Sequence, residues 1–179
     1  MEEELLMEKE EESKKKAMFV IAPNGFKDEE YYIPKGILEE NNIEVVTASL
    51  KSEAVSVKGK KQKIDILLDS ADINYDAIIF IGGPGTKIYF ENAKAHELAY
   101  RAHKKNKIVA AICIAPVILA KAGILTGKRA TVFPSGKDEL IEKGAKYIEK
   151  SVVEDGNILT ANGPDAAKEF GEKLAEMLS

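Results

Sequence analysis

Cys113 is the only thiol in the chain, and it stands between an apolar run and a helix start, in Ala111-Ile112-Cys113-Ile114-Ala115-Pro116. A strand that stops there and a helix that begins at once make a tight turn with the cysteine at its apex. Such a turn crowds the positions two before and two after the apex, where Ala111 and Ala115 are small, as glycines are around the serine elbow of α/β-hydrolases. Pro116 suits the first helical turn, where its missing N–H removes no hydrogen bond. The partial positive charge of a helix N-terminus favours a thiolate, and cysteines so placed titrate at ~3.5–7.5 instead of about 8.5. A free cysteine is ordinarily a small buried hydrophobe. The turn is what marks this one as a reactive nucleophile.

Two further stretches could serve such a thiol. Phe26-Lys27-Asp28-Glu29-Glu30 carries carboxylates at a helix start, where a glutamate can move a proton or simply satisfy the helix dipole. Gly82-Gly83-Pro84-Gly85 follows an apolar run and either brings backbone amides to a ligand or makes a plain tight turn. It lacks the G-x-G-x-x-G spacing of a dinucleotide fingerprint. The only histidines, His96 and His103, lie seven residues apart before Cys113 and share one helix face, a spacing that reads as solvated surface. No third ligand falls at matching spacing, and one cysteine excludes zinc sites built on several. Neither a cofactor nor a metal is expected.

The elements that must position these residues alternate. AMFVIA (17–22) reads as a buried strand ending at Pro-Asn-Gly, followed by a helix over Asp28 to Glu40 with Tyr32, Ile33, Gly36 and Ile37 at helical spacing. IEVVTA (43–48) is a second strand, and residues 51–69 a β excursion around a Lys-Gly-Lys-Lys turn. AIIFI (77–81), a long helix over about 86–105, KIVAAI (107–112) and a helix over 115–123 follow, then a strand RATVF (129–133) and a short helix over 138–144. Asp155-Gly156 between two apolar runs predicts a hairpin, and a last helix runs from Pro164 to Leu178. Repeated strand–helix–strand units imply a mostly parallel sheet with helices on both faces, whose ligands bind at the carboxyl ends of the strands. The Asn24–Glu30 turn, the Gly82–Gly85 loop and Cys113 all fall there.

The 179 residues suffice for one core. Residues 1–16 are nearly all charged, with Leu5, Leu6 and Met7 as an apolar cluster, and read as a solvated tail or frayed helix ahead of one domain over 17–179. A net charge of -4 argues against general nucleic-acid binding. No apolar run reaches the ~18 residues that span a bilayer, and no secretory signal is readable. A lone thiol suits a reducing cytosol.

AAICIAPVILAKAGIL, preceded by FIGGPG and by NGFKDEE, resembles the ThiJ/PfpI family across residues 17–178. The resemblance implies a flavodoxin-like three-layer sandwich related to class I glutamine amidotransferases, with dimers or higher homo-oligomers as its assemblies. It makes Cys113 the nucleophile and Glu30 its acidic partner, with Glu29 as the nearest competitor. It makes the backbone amides of Gly83 and Ile114 the oxyanion donors. The pattern departs where many hydrolytic members have histidine directly after the cysteine, here Ile114, or on the following strand, here Phe133. That disfavours a Cys-His peptidase, and the absence of any histidine after Cys113 disfavours amidotransfer. The resemblance therefore implies attack on a small reactive carbonyl, as in glyoxalase and deglycase activities. A redox-responsive protein oxidised at Cys113 and a holding chaperone are the alternatives.

Overall fold

Three short runs, Ala-Met-Phe-Val, Ala-Ile-Ile-Phe and Ile-Val-Ala-Ala-Ile, have no polar side chain to show to water. They form the centre of a sheet covered on both sides, as parallel strands require. The computed structural model describes the backbone of residues 1–179 and, apart from residues 8–13, their side chains. The first half runs α1 (Glu2–Ser13), β1 (Lys16–Val20), β2 (Asn24–Phe26), α2 (Asp28–Glu40), β3 (Glu44–Ser49), β4 (Glu53–Ser56), β5 (Lys61–Lys63), β6 (Ile66–Leu67) and β7 (Ala77–Phe80). The second half runs α3 (Ala93–Lys104), β8 (Ile108–Ile112), α4 (Pro116–Lys121), β9 (Arg129–Ala130), α5 (Lys137–Glu142), β10 (Lys146–Tyr147), β11 (Val152–Asp155), β12 (Ile158–Ala161) and α6 (Ala167–Leu178).

The main sheet has seven strands in the order β11-β12-β8-β7-β1-β3-β6, and all neighbours are parallel except the β11–β12 hairpin. Alternation along β1 splits the core: Met18 and Val20 face α3 and α4, while Ala17 and Phe19 face α2 and α6. The result is the mostly parallel, helix-covered sheet that the strand–helix alternation predicts, and the three-layer, flavodoxin-like sandwich that the family resemblance implies. Helices α2 and α6 approach so closely that a Cβ on Gly171 would lie 2.9 Å from the Pro34 Cα. Strand order reverses between β1 and β7, the switch point at whose carboxyl end such sheets bind ligands.

Three local expectations are corrected. The buried face of α2 is centred on Glu30, Tyr31, Pro34 and Leu38 rather than on the Tyr32–Ile33–Gly36–Ile37 spacing: Tyr32 and Ile37 are partly buried at its margin and Ile33 is exposed. Tyr31 earns that place by a 2.6 Å hydrogen bond between its hydroxyl and the Thr47 Oγ1 on β3. The helix expected over 86–105 is broken into a 3-10 turn, Pro84–Tyr89, and α3. Asn92 sits between them and accepts a 2.9 Å hydrogen bond from the Ala95 amide, an N-cap that starts a new helix. RATVF is a strand only at Arg129–Ala130, paired with β10 outside the main sheet. Beyond it the Thr131 amide donates to the Thr160 Oγ1 at 2.9 Å and the Phe133 amide to the Cys113 carbonyl at 2.7 Å, so this segment braces the elbow. The charged segment ahead of β1 forms α1, with Leu5, Leu6 and Met7 exposed.

Candidate active site

Cys113 follows β8 directly and adopts φ = 65°, a left-handed conformation that an L-residue holds at a cost of order 1–3 kcal/mol. Its amide donates to the Ala161 carbonyl at 2.9 Å and its carbonyl accepts from Phe133 at 2.7 Å. These two bonds hold the strained residue from both sides. Ala111 and Ala115, the flanking small residues, are fully buried. The strand-to-helix elbow expected from the sequence is present.

A second loop closes over it. Gly82 to Gly85 follow β7, and the Thr86 hydroxyl donates back to the Ile81 carbonyl at 2.9 Å. The Tyr89 hydroxyl donates to the Ile21 carbonyl at 2.7 Å, tying this loop to the end of β1. The Lys27 amide then donates to the Gly82 carbonyl at 3.0 Å, which brings the start of α2 to the same place. Gly83 has φ = 122°, and a Cβ there would lie 2.4 Å from the Gly25 carbonyl oxygen. Gly82 is crowded by the reacting groups themselves: a Cβ on it would lie 2.6 Å from the Cys113 Cβ and 2.6 Å from the Glu30 Oε1. Cysteine and glutamate thus converge on the one hydrogen that Gly82 leaves between them.

Of the two candidate acids, Glu30 is brought to Cys113 and Glu29 is not. Glu29 pairs with Lys58 at 2.6 Å. The Glu30 side chain is completely buried, and neither carboxyl oxygen has a partner of good hydrogen-bond geometry among the described residues. Its nearest polar groups are the Cys113 thiol and the Gly82 amide. Both residues line a cleft of about 320 Å³ with Lys27, Gly83, Lys87, Ile114, Phe133 and Ser135. The Gly83 and Ile114 amides have no backbone acceptor among the described residues. A larger cavity of about 470 Å³, beside Asn41 and Leu178, holds no thiol or acidic side chain.

Burial pushes the Glu30 carboxyl up to about 7, against the Cys113 and Gly82 contacts and the charge of Lys27, which favour ionisation. Burial, followed by the Glu30 charge and hydrogen bond, pushes the Cys113 thiol up to about 12, against the Ile114 amide and Lys27. The depressed thiol expected from a helix N-terminus is therefore overturned. Helix α4 has only six residues, and desolvation with a carboxylate alongside outweighs its dipole. The two groups titrate as a coupled pair. The first proton leaves the Glu30 carboxyl near pH 7, and the second stays on sulfur beside a carboxylate able to take it as the thiol reacts.

This coupling has a consequence for stability. Glu30 holds its proton in the fold up to about 7, whereas an unfolded glutamate releases it near 4.5. Its contribution is fully present below pH 4.5 and is lost as pH rises through 7, by about 3 kcal/mol. Glu30→Gln has no such titration. Denaturant unfolding at pH 4.5 and pH 8 is expected to show the variant gaining on the wild type by that amount at pH 8. A gain at low pH instead would contradict the buried, neutral carboxyl.

The histidines take no part in the cleft. His96 is half-buried, its Nε2 2.7 Å from the Phe90 carbonyl oxygen, and burial holds the His103 imidazole below its usual value. The solvated helix face expected for them is corrected accordingly. No cluster of three or more His, Cys, Asp or Glu suits a metal among the described residues. Sequence reasoning missed Gly82, Lys27, Lys87 and Ser135. The doubled glycine was the available signal for the first, since one glycine suffices for a donor and the second serves a close approach.

A strained cysteine elbow and a buried glutamate at the switch point of a doubly wound sheet place the molecule among flavodoxin-like α/β proteins with an elbow cysteine. The chain belongs to the DJ-1/PfpI family, whose model matches residues 15–177. It is 44% identical over 168 residues to an uncharacterized protein of Methanocaldococcus jannaschii, covering 91% of this chain and 82% of that one. It is 34% identical to the Deglycase PfpI of Pyrococcus furiosus, over 83% of this chain and 90% of that one. The crystal structure of a ThiJ/PfpI domain protein from Brachyspira murdochii superposes with a TM-score of 0.89 at 30% identity, over 92% of this chain and 97% of that one. No helix is long and apolar enough to cross a membrane among the described residues.

Proposed function

We propose that the protein acts on small reactive carbonyls, 2-oxoaldehydes first among them, through Cys113 with Glu30 as proton shuttle. The observation that carries this reading is the Glu30 carboxyl, fully buried, without a settled hydrogen-bond partner and facing the elbow thiol. Relatives named deglycases, from Pyrococcus furiosus and Pyrococcus horikoshii, support it. As Glu30 takes the thiol proton, Sγ bonds to the aldehyde carbon and the carbonyl π pair moves to oxygen. The Gly83 and Ile114 amides face that oxyanion, and Glu30 returns the proton to it, giving a hemithioacetal. Glu30 then moves the proton from the former aldehyde carbon to the neighbouring carbon while the hydroxyl proton passes from the first oxygen to the second, leaving a thioester of a 2-hydroxy acid. Water cleaves the thioester and restores the thiol. Methylglyoxal and water become lactate, with no external oxidant or reductant.

A base with a value near 7 is suited to this work at neutral pH, and no histidine is needed. The same reading takes 17–179 as the catalytic unit and a homodimer or higher oligomer as its assembly. The test is lactate formation from methylglyoxal by the wild type, with Cys113→Ala as control. Equal rates in the two would defeat the proposal.

A further inference from the structure

Beyond the Cys113–Glu30 pair the cleft is unevenly lined. Its walls are apolar, with Phe133, Pro84 and Ile114. Two lysines nevertheless reach it from separate elements, Lys27 from the turn before α2 and Lys87 from the 3-10 turn after Gly83. Neither has a carboxylate within ion-pairing distance among the described residues. Nearby lysines are held otherwise: Lys121, in the adjoining cleft, lies 2.6 Å from Glu91 and 2.7 Å from Glu139. In a chain with 30 acidic and 26 basic residues, two unpaired cations on one apolar cleft are a local reversal of the overall charge. Even with Glu30 ionised as the base, the residues that line the cleft carry two positive charges against one negative.

We propose that Lys27 and Lys87 select substrates carrying an anionic group, a carboxylate or a phosphate, beside the reactive carbonyl. The inference deepens the reading of the cleft as a carbonyl site and rests on it for the word substrate. The charge preference itself stands on the two lysines. Anionic compounds are drawn to the cleft and held with the carbonyl over Cys113, whereas neutral methylglyoxal fits without that attraction.

The preference can be read without turnover. Iodoacetate and iodoacetamide both bond to Sγ through CH2 as iodide leaves, and they differ in carboxylate against amide. At low salt the iodoacetate-to-iodoacetamide rate ratio at Cys113 is expected to exceed that of 2-mercaptoethanol by about five- to tenfold. It should fall to the free-thiol ratio in the Lys27→Gln/Lys87→Gln double variant and persist in Lys150→Gln, which alters charge away from the cleft. A ratio equal to that of mercaptoethanol, or one the double variant leaves unchanged, overturns the proposal. Protection against iodoacetamide by inorganic phosphate or by acetate, at equal ionic strength, identifies which anion is preferred; protection by neither counts against it. In turnover, 4,5-dioxopentanoate is then expected to outrun neutral 2-oxopentanal in kcat/KM by a similar factor. Equal turnover of both would sink the anion preference and leave the carbonyl reading standing. No turnover of either, with the alkylation preference intact, would do the reverse.

Discussion

Glu30→Gln is expected to lower kcat for methylglyoxal by about 10²–10⁴-fold, the usual weight of a positioned acid–base group, while the protein stays folded. Glutamine has nearly the same shape, so the packing of α2 against the sheet is kept. It is neutral at every pH, which suits a site where burial already disfavours charge. What it cannot do is take a proton from sulfur and return it to the substrate. Cys113→Ala should abolish turnover altogether, because the nucleophile itself is gone. Glu29→Gln is the informative contrast. Glu29 is tied to Lys58 at the surface side of the same helix turn, so its loss should change rate by less than about threefold and stability by only ~0–1 kcal/mol. Measured kcat values for the three variants decide the assignment. A Glu29→Gln protein as impaired as Glu30→Gln would show that the wrong carboxylate has been given the role.

Gly82→Ala is expected to damage both stability and chemistry. The added methyl would stand 2.6 Å from the Cys113 Cβ, 2.6 Å from the Glu30 Oε1 and 2.8 Å from the Ile112 carbonyl oxygen. One of these three neighbours is backbone and one is a residue already strained at φ = 65°, so relief must come from moving the reacting groups. Overpacking of this kind costs ~1–3 kcal/mol, and a displacement of about 1 Å at the reacting atoms costs ~10²-fold in rate. Gly36→Ala provides the comparison, since a Cβ there meets nothing within 4 Å and α2 should gain from alanine by roughly 0.5–1 kcal/mol. Urea unfolding and alkylation of Cys113 measure the two effects. A Gly82→Ala protein with wild-type stability and wild-type thiol reactivity would mean that Cys113 and Glu30 do not converge as described.

Much of this arrangement is legible in the chain because its signals are local. The Asp155-Gly156 turn makes the β11–β12 hairpin that its residues predict. Asp28–Glu40 begins and ends where the helical pattern does, and the alanines around Cys113 announce a tight turn. The family resemblance added what spacing alone left open, the pairing of Cys113 with a carboxylate in the first helix. The parts that were not legible depend on contacts between distant segments. Which face of α2 turns inward is decided by Tyr31 meeting Thr47 and Pro34 meeting Gly171, not by hydropathy along the helix. RATVF leaves its strand because Thr160 and the Cys113 carbonyl take its amides. The thiol was expected to be acidic from the helix beside it. Burial and the neighbouring carboxylate reverse that, and both are facts of the third dimension.

The most direct test of the central claim, that Cys113 and Glu30 work as one proton-sharing pair, is the pH dependence of Cys113 alkylation by iodoacetamide in wild type and Glu30→Gln. The reagent is neutral, so the profile reports the pair and not the lysines. The wild-type rate is expected to rise with an inflection near 7, where the pair loses its first proton. In Glu30→Gln that inflection should vanish and the rate should climb only above about pH 9, because a buried thiol then titrates alone. Superimposable profiles in the two proteins would show that Glu30 exchanges no proton with Cys113, and would contradict the account.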